Sequence, residues 1–138
     1  MQKYFESDTA TVYYNSELDT IFLEYHKGVK DTTEFILINS ELLAAFKALN
    51  TQKFVADIRK MGVISIESQN WVVENLIPGM LKKLNGRPLY HAQLIDPEEI
   101  FAKVSGTNIK SKAKKEQGGM DVHQFTNQDE LEKYLRSI

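Results

Sequence analysis

Apolar positions along the first part of the chain follow the two-residue period of β-strands. Residues 9–15 and 20–28 are rich in β-branched and aromatic side chains, and the polar residues 16–19 between them favour a reversal. In the second segment Ile21 and Tyr25 fall on the same face as Leu23, and we expect that face to meet the core. These segments predict a β-hairpin.

From Asp31 the apolar period changes to three and four residues, which predicts an amphipathic helix that ends near Asn50. Asp31 or Thr32 can supply its N-cap. The expected buried stripe consists of Phe35, Ile38, Leu42, Ala45, Phe46 and Leu49. Residues 53–58 then form a short apolar run, typical of a strand in a parallel sheet that is covered on both faces.

A second helical stripe follows, and the pair Asn85–Gly86 is expected to end it. Pro78 lies inside this stripe. Because proline donates no hydrogen bond and its ring clashes with the preceding turn, we expect the helix to kink or split near Leu76. The stripe consists of Ile66, Val73, Leu76, Ile77, Met80, Leu81 and Leu84.

Beyond the second helix, residues 88–95 predict a strand and residues 96–106 a short helix with Asp96 as its cap. Residues 106–121 have little apolar content and a glycine pair, which indicates a mobile loop. Its lysines at 110, 112, 114 and 115 are expected to be solvated.

The chain ends with a predicted strand at residues 121–125 and a predicted helix at residues 126–138, capped by Thr126 or Asn127. The inward positions of this helix are Leu131, Tyr134, Leu135 and Ile138. The resulting order, ββαβαβαβα, predicts an α/β fold, in which helices pack against a mixed, mostly parallel sheet. We expect residues 1–138 to form a single domain.

Composition narrows the classes of function. The net charge is only -2, so nucleic acid is not an expected partner. The chain has no cysteine, which excludes disulfides, thiol nucleophiles and thiolate metal sites. No window approaches the roughly 20 apolar residues of a membrane span, so we expect a cytoplasmic protein.

Three quoted stretches carry a resemblance to a known family. They are "FVADIRKMGVIS", "NWVVENLIPGMLKKLNGRPLYHAQLIDPEEIFAKV" and "HQFTNQDELEKYL". With the preceding hairpin they make nearly the whole chain similar to the STAS domain family, in particular its SpoIIAA-like bacterial proteins. The resemblance implies a regulatory domain that binds a kinase-like or anti-sigma-like protein.

In the anti-sigma factor antagonists of that family, a serine in the loop after the third strand is phosphorylated by the partner kinase. Alignment on Asp57 places Ser65, Glu67 and Ser68 over that loop, but no glycine follows them. We therefore expect binding without the phosphoserine switch. Ser65 suits a helix N-cap, and Glu67 resembles a fixed negative charge with fewer acceptors than a phosphate.

Asp57 raises the alternative of a phosphoryl acceptor, as in the receiver domains of two-component signalling. Those domains bind magnesium through acidic residues after their first strand, whereas residues 25–28 here read "YHKG". We expect Asp57 to accept backbone hydrogen bonds or to pair with Arg59. Since ligands of parallel sheets bind above the carboxyl ends of strands, Asp57, Arg59, Lys60 and Trp71 mark the predicted binding region.

No catalytic set is recognisable. His26, His91 and His123 lie in different predicted strands without a companion at metal-ligand spacing. The sequence has no G-x-S-x-G elbow and no phosphate-binding glycine loop. We therefore expect no catalytic residues, no metal and no cofactor.

Two functions remain open at this point. The first is a non-catalytic regulatory domain that binds a protein partner, with a contact region formed by Asp57, Arg59, Lys60, Ser65, Glu67, Ser68 and Trp71. The alternative is a small-molecule or lipid-binding domain, which requires a cavity lined by Trp71 and neighbouring aliphatic side chains. Tyr13, Tyr14 and Tyr25 are the other aromatic residues that can line such a pocket with Trp71. Unpaired strand edges at the N-terminal hairpin also make a homodimer a prediction.

Overall fold

The sheet is the framework of the protein. The structure, a computed structural model, describes residues 1–97 and 122–138. In this part of the chain, six strands lie side by side in the order in which they occur in the sequence. They are β1 (Gln2–Glu6), β2 (Ala10–Asn15), β3 (Thr20–Tyr25), β4 (Lys53–Asp57), β5 (Tyr90–Leu94) and β6 (Val122–Phe125). The pairings from β1 to β3 are antiparallel and those from β3 to β6 are parallel, which confirms the predicted α/β class with a mixed, mostly parallel sheet.

Strand β1 corrects the predicted order, which began at residue 9. It pairs antiparallel with β2, and its register shifts between Lys3 and Phe5. Its sequence "QKYFE" offers only two apolar side chains, and they are adjacent, so the alternation typical of a strand is missing. One edge of the described sheet is therefore β1 and not the predicted hairpin. The predicted homodimer stays a prediction.

Three helical segments are present in the described part of the chain. The first segment is α1 (Thr32–Ala48) and the last is α4 (Gln128–Arg136). The middle segment is continuous and consists of α2 (Ile66–Trp71), a π-helical turn (Val72–Leu76) and α3 (Ile77–Leu84). The Asp31 carboxylate caps α1 by accepting a hydrogen bond from the Glu34 backbone N–H at 2.8 Å. Asn127 caps α4, and Asn85 ends α3 in the left-handed conformation at φ 52°. Asp31 and Asn127 are each one of the two caps predicted for their helices, and Asn85 belongs to the pair predicted to end α3.

The π-helical turn lies where the sequence predicted that Pro78 would disturb the helix. The Ile77 N–H donates to the Val72 carbonyl, five residues back, instead of four. A proline at the second position of α3 has no N–H to continue the α-helical pattern, and the wider turn accommodates its ring. The helix adjusts locally and continues to Leu84.

Both faces of the sheet are covered. Phe54 and Ala56 of β4 face the core formed with α1, α2 and α3, whereas Val55 faces a second cluster that includes Leu131 and Leu135 of α4. Strand β4 is therefore buried on both sides, as its continuous apolar run predicted.

Two positions that were predicted to face inward do not. Ile66 is 70% exposed because it is the first residue of α2, before the helix reaches the core, and Ile138 is 39% exposed beyond the end of α4. Most of the helix predicted at residues 96–106 and the loop predicted at residues 106–121 lie outside the described residues.

Candidate functional site

The residues predicted to bind a partner lie in two separate places. Asp57 and Arg59 line a cavity of about 150 Å³ that also contacts Leu131 of α4. Ser65 and Ser68 line a cleft of about 280 Å³ that also includes residues at the start of α1. The predicted contact region is thus divided between two concave sites.

Asp57 stands at the carboxyl end of β4 and is buried. Its Oδ1 accepts from the Arg59 Nε at 2.9 Å and its Oδ2 accepts from the Arg59 Nη2 at 2.7 Å. The Arg59 backbone N–H is 3.3 Å from Oδ1. These contacts confirm both expected roles of Asp57. The hydrogen bond to Asp57 raises the pKa of Arg59, and both carboxylate oxygens are occupied.

The cavity beside this ion pair has several polar side chains in its lining. Glu24 pairs in register with Asp57 across the parallel strands β3 and β4, and Tyr13 and Gln128 also line the cavity. Burial, and then the nearby charges of Glu24 and Asp57, raise the pKa of Tyr13 to about 12. The Tyr13 hydroxyl is consequently neutral at physiological pH and can donate a hydrogen bond.

Ser65 is the N-cap of α2, as predicted. Its Oγ accepts from the Ser68 backbone N–H at 3.0 Å and donates to the Ser68 Oγ at 2.9 Å. The same oxygen lies 2.6 Å from the Thr32 Oγ1 at the first position of α1. This hydroxyl network holds the N-termini of α1 and α2 together.

Apolar side chains border the cleft between these two helix starts. The cleft is lined by apolar, hydroxyl and charged residues: Val29, Phe35, Val63 and Ile64, then Thr32, Ser65 and Ser68, and finally Lys30 and Asp31. Val63 is 60% exposed, and the neighbouring Ile66 is 70% exposed. Periodicity predicted Ile66 to be part of the apolar stripe, and no pattern in the sequence indicated that Val63 is exposed beside it.

The remaining predicted residues contribute unequally to this surface. Lys60 and Glu67 are exposed, whereas Trp71 is partly buried and packs against the core. Trp71 does not belong to the lining of any of the cavities described for this part of the chain. Tyr13 and Tyr25 face opposite sides of the sheet, so the predicted aromatic pocket does not form around them together.

A third cavity, of about 30 Å³, lies between the sheet, α1 and the π-helical turn. It is lined mainly by apolar side chains, together with Tyr25, Asn39, His91 and Gln93. Burial lowers the pKa of His91 to about 3. His91 had no companion at metal-ligand spacing in the sequence, and its position in a mainly apolar predicted strand was the only signal of its burial.

Replacement of the Ser65 cap tests the hydroxyl network. We expect Ser65→Ala to lower the free energy of unfolding by about 1 kcal/mol, because the Ser68 N–H loses its acceptor. Ser65→Asp should retain most of the stability, since a carboxylate also caps and suits the helix dipole. Urea denaturation of the three proteins measures the difference, and an alanine variant as stable as the native protein would contradict the capping role.

In the described residues, no group of three or more histidine, aspartate or glutamate side chains is placed to hold a metal ion. The same part of the chain has no helix that combines the length and the apolar character needed to cross a membrane. No family model, curated protein or solved structure matches the chain.

Proposed function

We propose that this chain is a non-catalytic regulatory domain of the STAS type, which binds a protein partner through the surface at the start of α2. This surface, the α2 surface, consists of Val63, Ser65, Ile66, Glu67 and the adjoining cleft of about 280 Å³. The observation that carries the proposal is the exposure of two apolar side chains beside a cleft. Single exposed apolar residues are ordinary, whereas a pair next to a concavity is typical of an interaction site.

The cleft gives the partner a place to anchor. Interfaces concentrate their binding energy in a few side chains that fill well-packed pockets. The apolar walls of this cleft suit an aliphatic or aromatic side chain of the partner, and Val63 and Ile66 would lose their exposure to water when it docks. The hydroxyls of Thr32 and Ser65 can then form hydrogen bonds at the edge of the contact.

The local geometry supports binding without a phosphoserine switch. The Ser68 hydroxyl is buried and bonded to Ser65, so it is poorly accessible to a kinase. The exposed carboxylate of Glu67 supplies a fixed negative charge in the first turn of α2. A kinase-like or anti-sigma-like partner therefore binds this domain constitutively, in our proposal, and is not released by phosphorylation here.

The Asp57–Arg59 pair has a supporting role in this proposal. Its bidentate contact fixes the turn that leads from β4 towards Val63, and the side chain of Lys60 is exposed on the same turn. Asp57 and Arg59 therefore position the α2 surface and do not form its centre. Trp71 supports α2 from the core side.

The test replaces the exposed apolar pair and keeps the fold. We expect Val63→Glu combined with Ile66→Glu to weaken partner binding roughly 30-fold, the effect of losing about 2 kcal/mol at a binding hot spot. Leu37→Glu is the matched control, because Leu37 is 54% exposed on α1 and does not line the cleft. The measurement is isothermal titration with a partner identified by photo-crosslinking at position 67 in the native host.

Equal affinity of the double variant and the Leu37 control would contradict the proposal. So would turnover of a substrate that depends on Asp57 or Glu67, because the domain would then be an enzyme. Thermal unfolding of each variant shows whether a loss of binding reflects the surface or the fold.

The alternative, a small-molecule or lipid-binding domain, is supported only by the presence of cavities. The core cavity measures about 30 Å³, the cavity beside Asp57 about 150 Å³ and the cleft beside Ser65 about 280 Å³. Ligand pockets usually span about 300–1,000 Å³, so a lipid requires the helices to move away from the sheet. Native mass spectrometry of protein purified from its own host tests this alternative, and a co-purifying lipid would favour it.

A further inference from the structure

His91 is a buried polar side chain without a partner in the described part of the chain. It is 2% exposed, and neither ring nitrogen has a hydrogen bond there. The ring stacks on Phe54 with centroids 4.6 Å apart. This contact buries a face of the ring but provides no hydrogen bond to its nitrogens. A buried donor or acceptor that loses its bond to water without replacement destabilises the fold.

The cavity next to His91 arises from the register of the central strands. Leu23, Ala56 and Gln93 form one row across β3, β4 and β5. Ala56 is the smallest member of this row, and the helices above it do not fill the space that its short side chain leaves. Gln93 is two residues after His91 and therefore projects from the same face of β5.

This space has the size and the polar partners that a water molecule needs. Its volume of about 30 Å³ exceeds the roughly 10–15 Å³ that a cavity needs to hold one water molecule, and buried waters typically make about three hydrogen bonds. A neutral histidine supplies one N–H donor and one acceptor nitrogen, and the Gln93 amide nitrogen carries donors. The Gln93 Oε1 already accepts from the Gln124 Nε2 at 3.0 Å, which orients the amide.

We propose that this cavity is a specific binding site for one water molecule, which hydrogen-bonds to both His91 and Gln93. The bound water satisfies a ring nitrogen of His91 and links it to Gln93, whose amide also contacts β6. The site is independent of the α2 surface, and its test does not depend on a partner protein.

A double-mutant cycle at pH 7 tests the link. The variants are His91→Phe, which keeps a ring to stack on Phe54, Gln93→Met, which keeps the length of the side chain, and the combination. If one water joins the two residues, the unfolding equilibrium constant of the double variant departs at least about fivefold from the product of the single effects. The control cycle combines His91→Phe with Thr20→Val, because the buried Thr20 hydroxyl donates to the Leu18 carbonyl and not to this site. The effects of these two substitutions on the unfolding equilibrium constant should multiply to within about twofold.

A second measurement separates a water-filled site from a dry one. We expect magnetisation transfer between water and the His91 ring protons in the native protein, and its loss in Gln93→Met. Xenon should not shift the signals of Ala56 or Leu76, because a polar site that holds water excludes it, whereas dry apolar cavities bind it. Multiplicative effects in the His91 and Gln93 cycle, or xenon binding without water contact, would overturn the proposal.

Discussion

Lowering the pH from 7 to 4 is expected to destabilise the native protein by about 3 kcal/mol more than it destabilises a His91→Phe variant. Burial lowers the pKa of His91 from 6.5 to about 3 in the folded protein. Between pH 6.5 and about pH 3, the His91 ring is protonated in the unfolded chain and neutral in the folded protein. The stability that neutral His91 contributes is therefore fully present above pH 6.5. As the pH falls towards 4, the free energy of unfolding decreases by about 1.4 kcal/mol for each of the 2.5 pH units.

Urea denaturation at pH 7, 6, 5 and 4 measures this difference. Tyr25 is the other titratable group that lines the cavity, and burial raises its pKa, so it stays neutral over the whole range. His123→Phe is the matched control, because His123 is an exposed strand histidine whose ring packs at a tilt against Tyr134. We expect this control to lose stability in parallel with the native protein. Parallel pH profiles for the His91 variant and the native protein would show that the buried ring is protonated without cost.

Much of the fold follows from signals that are local in the sequence. Asp31 was a predicted cap because a side chain with a short acceptor preceded a helical period, and its carboxylate bonds the Glu34 N–H. The continuous apolar run of β4 correctly indicated burial on both faces. These features depend on neighbouring residues, so periodicity and capping chemistry suffice to find them.

Features that depend on tertiary pairing could not be predicted in this way. Strand β1 has no alternation of its own and exists because β2 offers it a partner. Periodicity placed Ile66 on the apolar stripe of its helix but gave no sign that the helix reaches the core only after its first turn. The stacking of His91 on Phe54 depends on the register of β4 and β5, which a single sequence does not specify.

In the candidate site too, the contacts between residues close in sequence were predictable, and the tertiary arrangement was not. The pairing of Asp57 with Arg59 was predictable, since the two residues are close in sequence at the end of a strand. Their separation from the serine cleft was not, because the turn after β4 leads the chain from a cavity beside α4 to a cleft beside α1. A contiguous stretch of sequence therefore serves two different surfaces.

The position of β4 inside the sheet predicts the largest losses of stability from single substitutions. We expect Phe54→Ala to lower the free energy of unfolding by about 3–5 kcal/mol, because it leaves a cavity beside α1 and removes the stack on His91. Val55→Ala should lower it by roughly 2 kcal/mol through the second core, beside α4. Both substitutions are costly only if each face of the strand is covered.

Lys3→Ala on the edge strand β1 is the control for this pair, since Lys3 is exposed and its ion pair with Glu6 contributes little. Its effect should stay within about 0.5 kcal/mol. Chemical denaturation with intrinsic Trp71 fluorescence reports all three values. A Val55→Ala protein as stable as the native one would mean that β4 faces solvent on the α4 side. The turn after β4 would then have no rigid support. A preformed α2 surface would in consequence lose its physical basis.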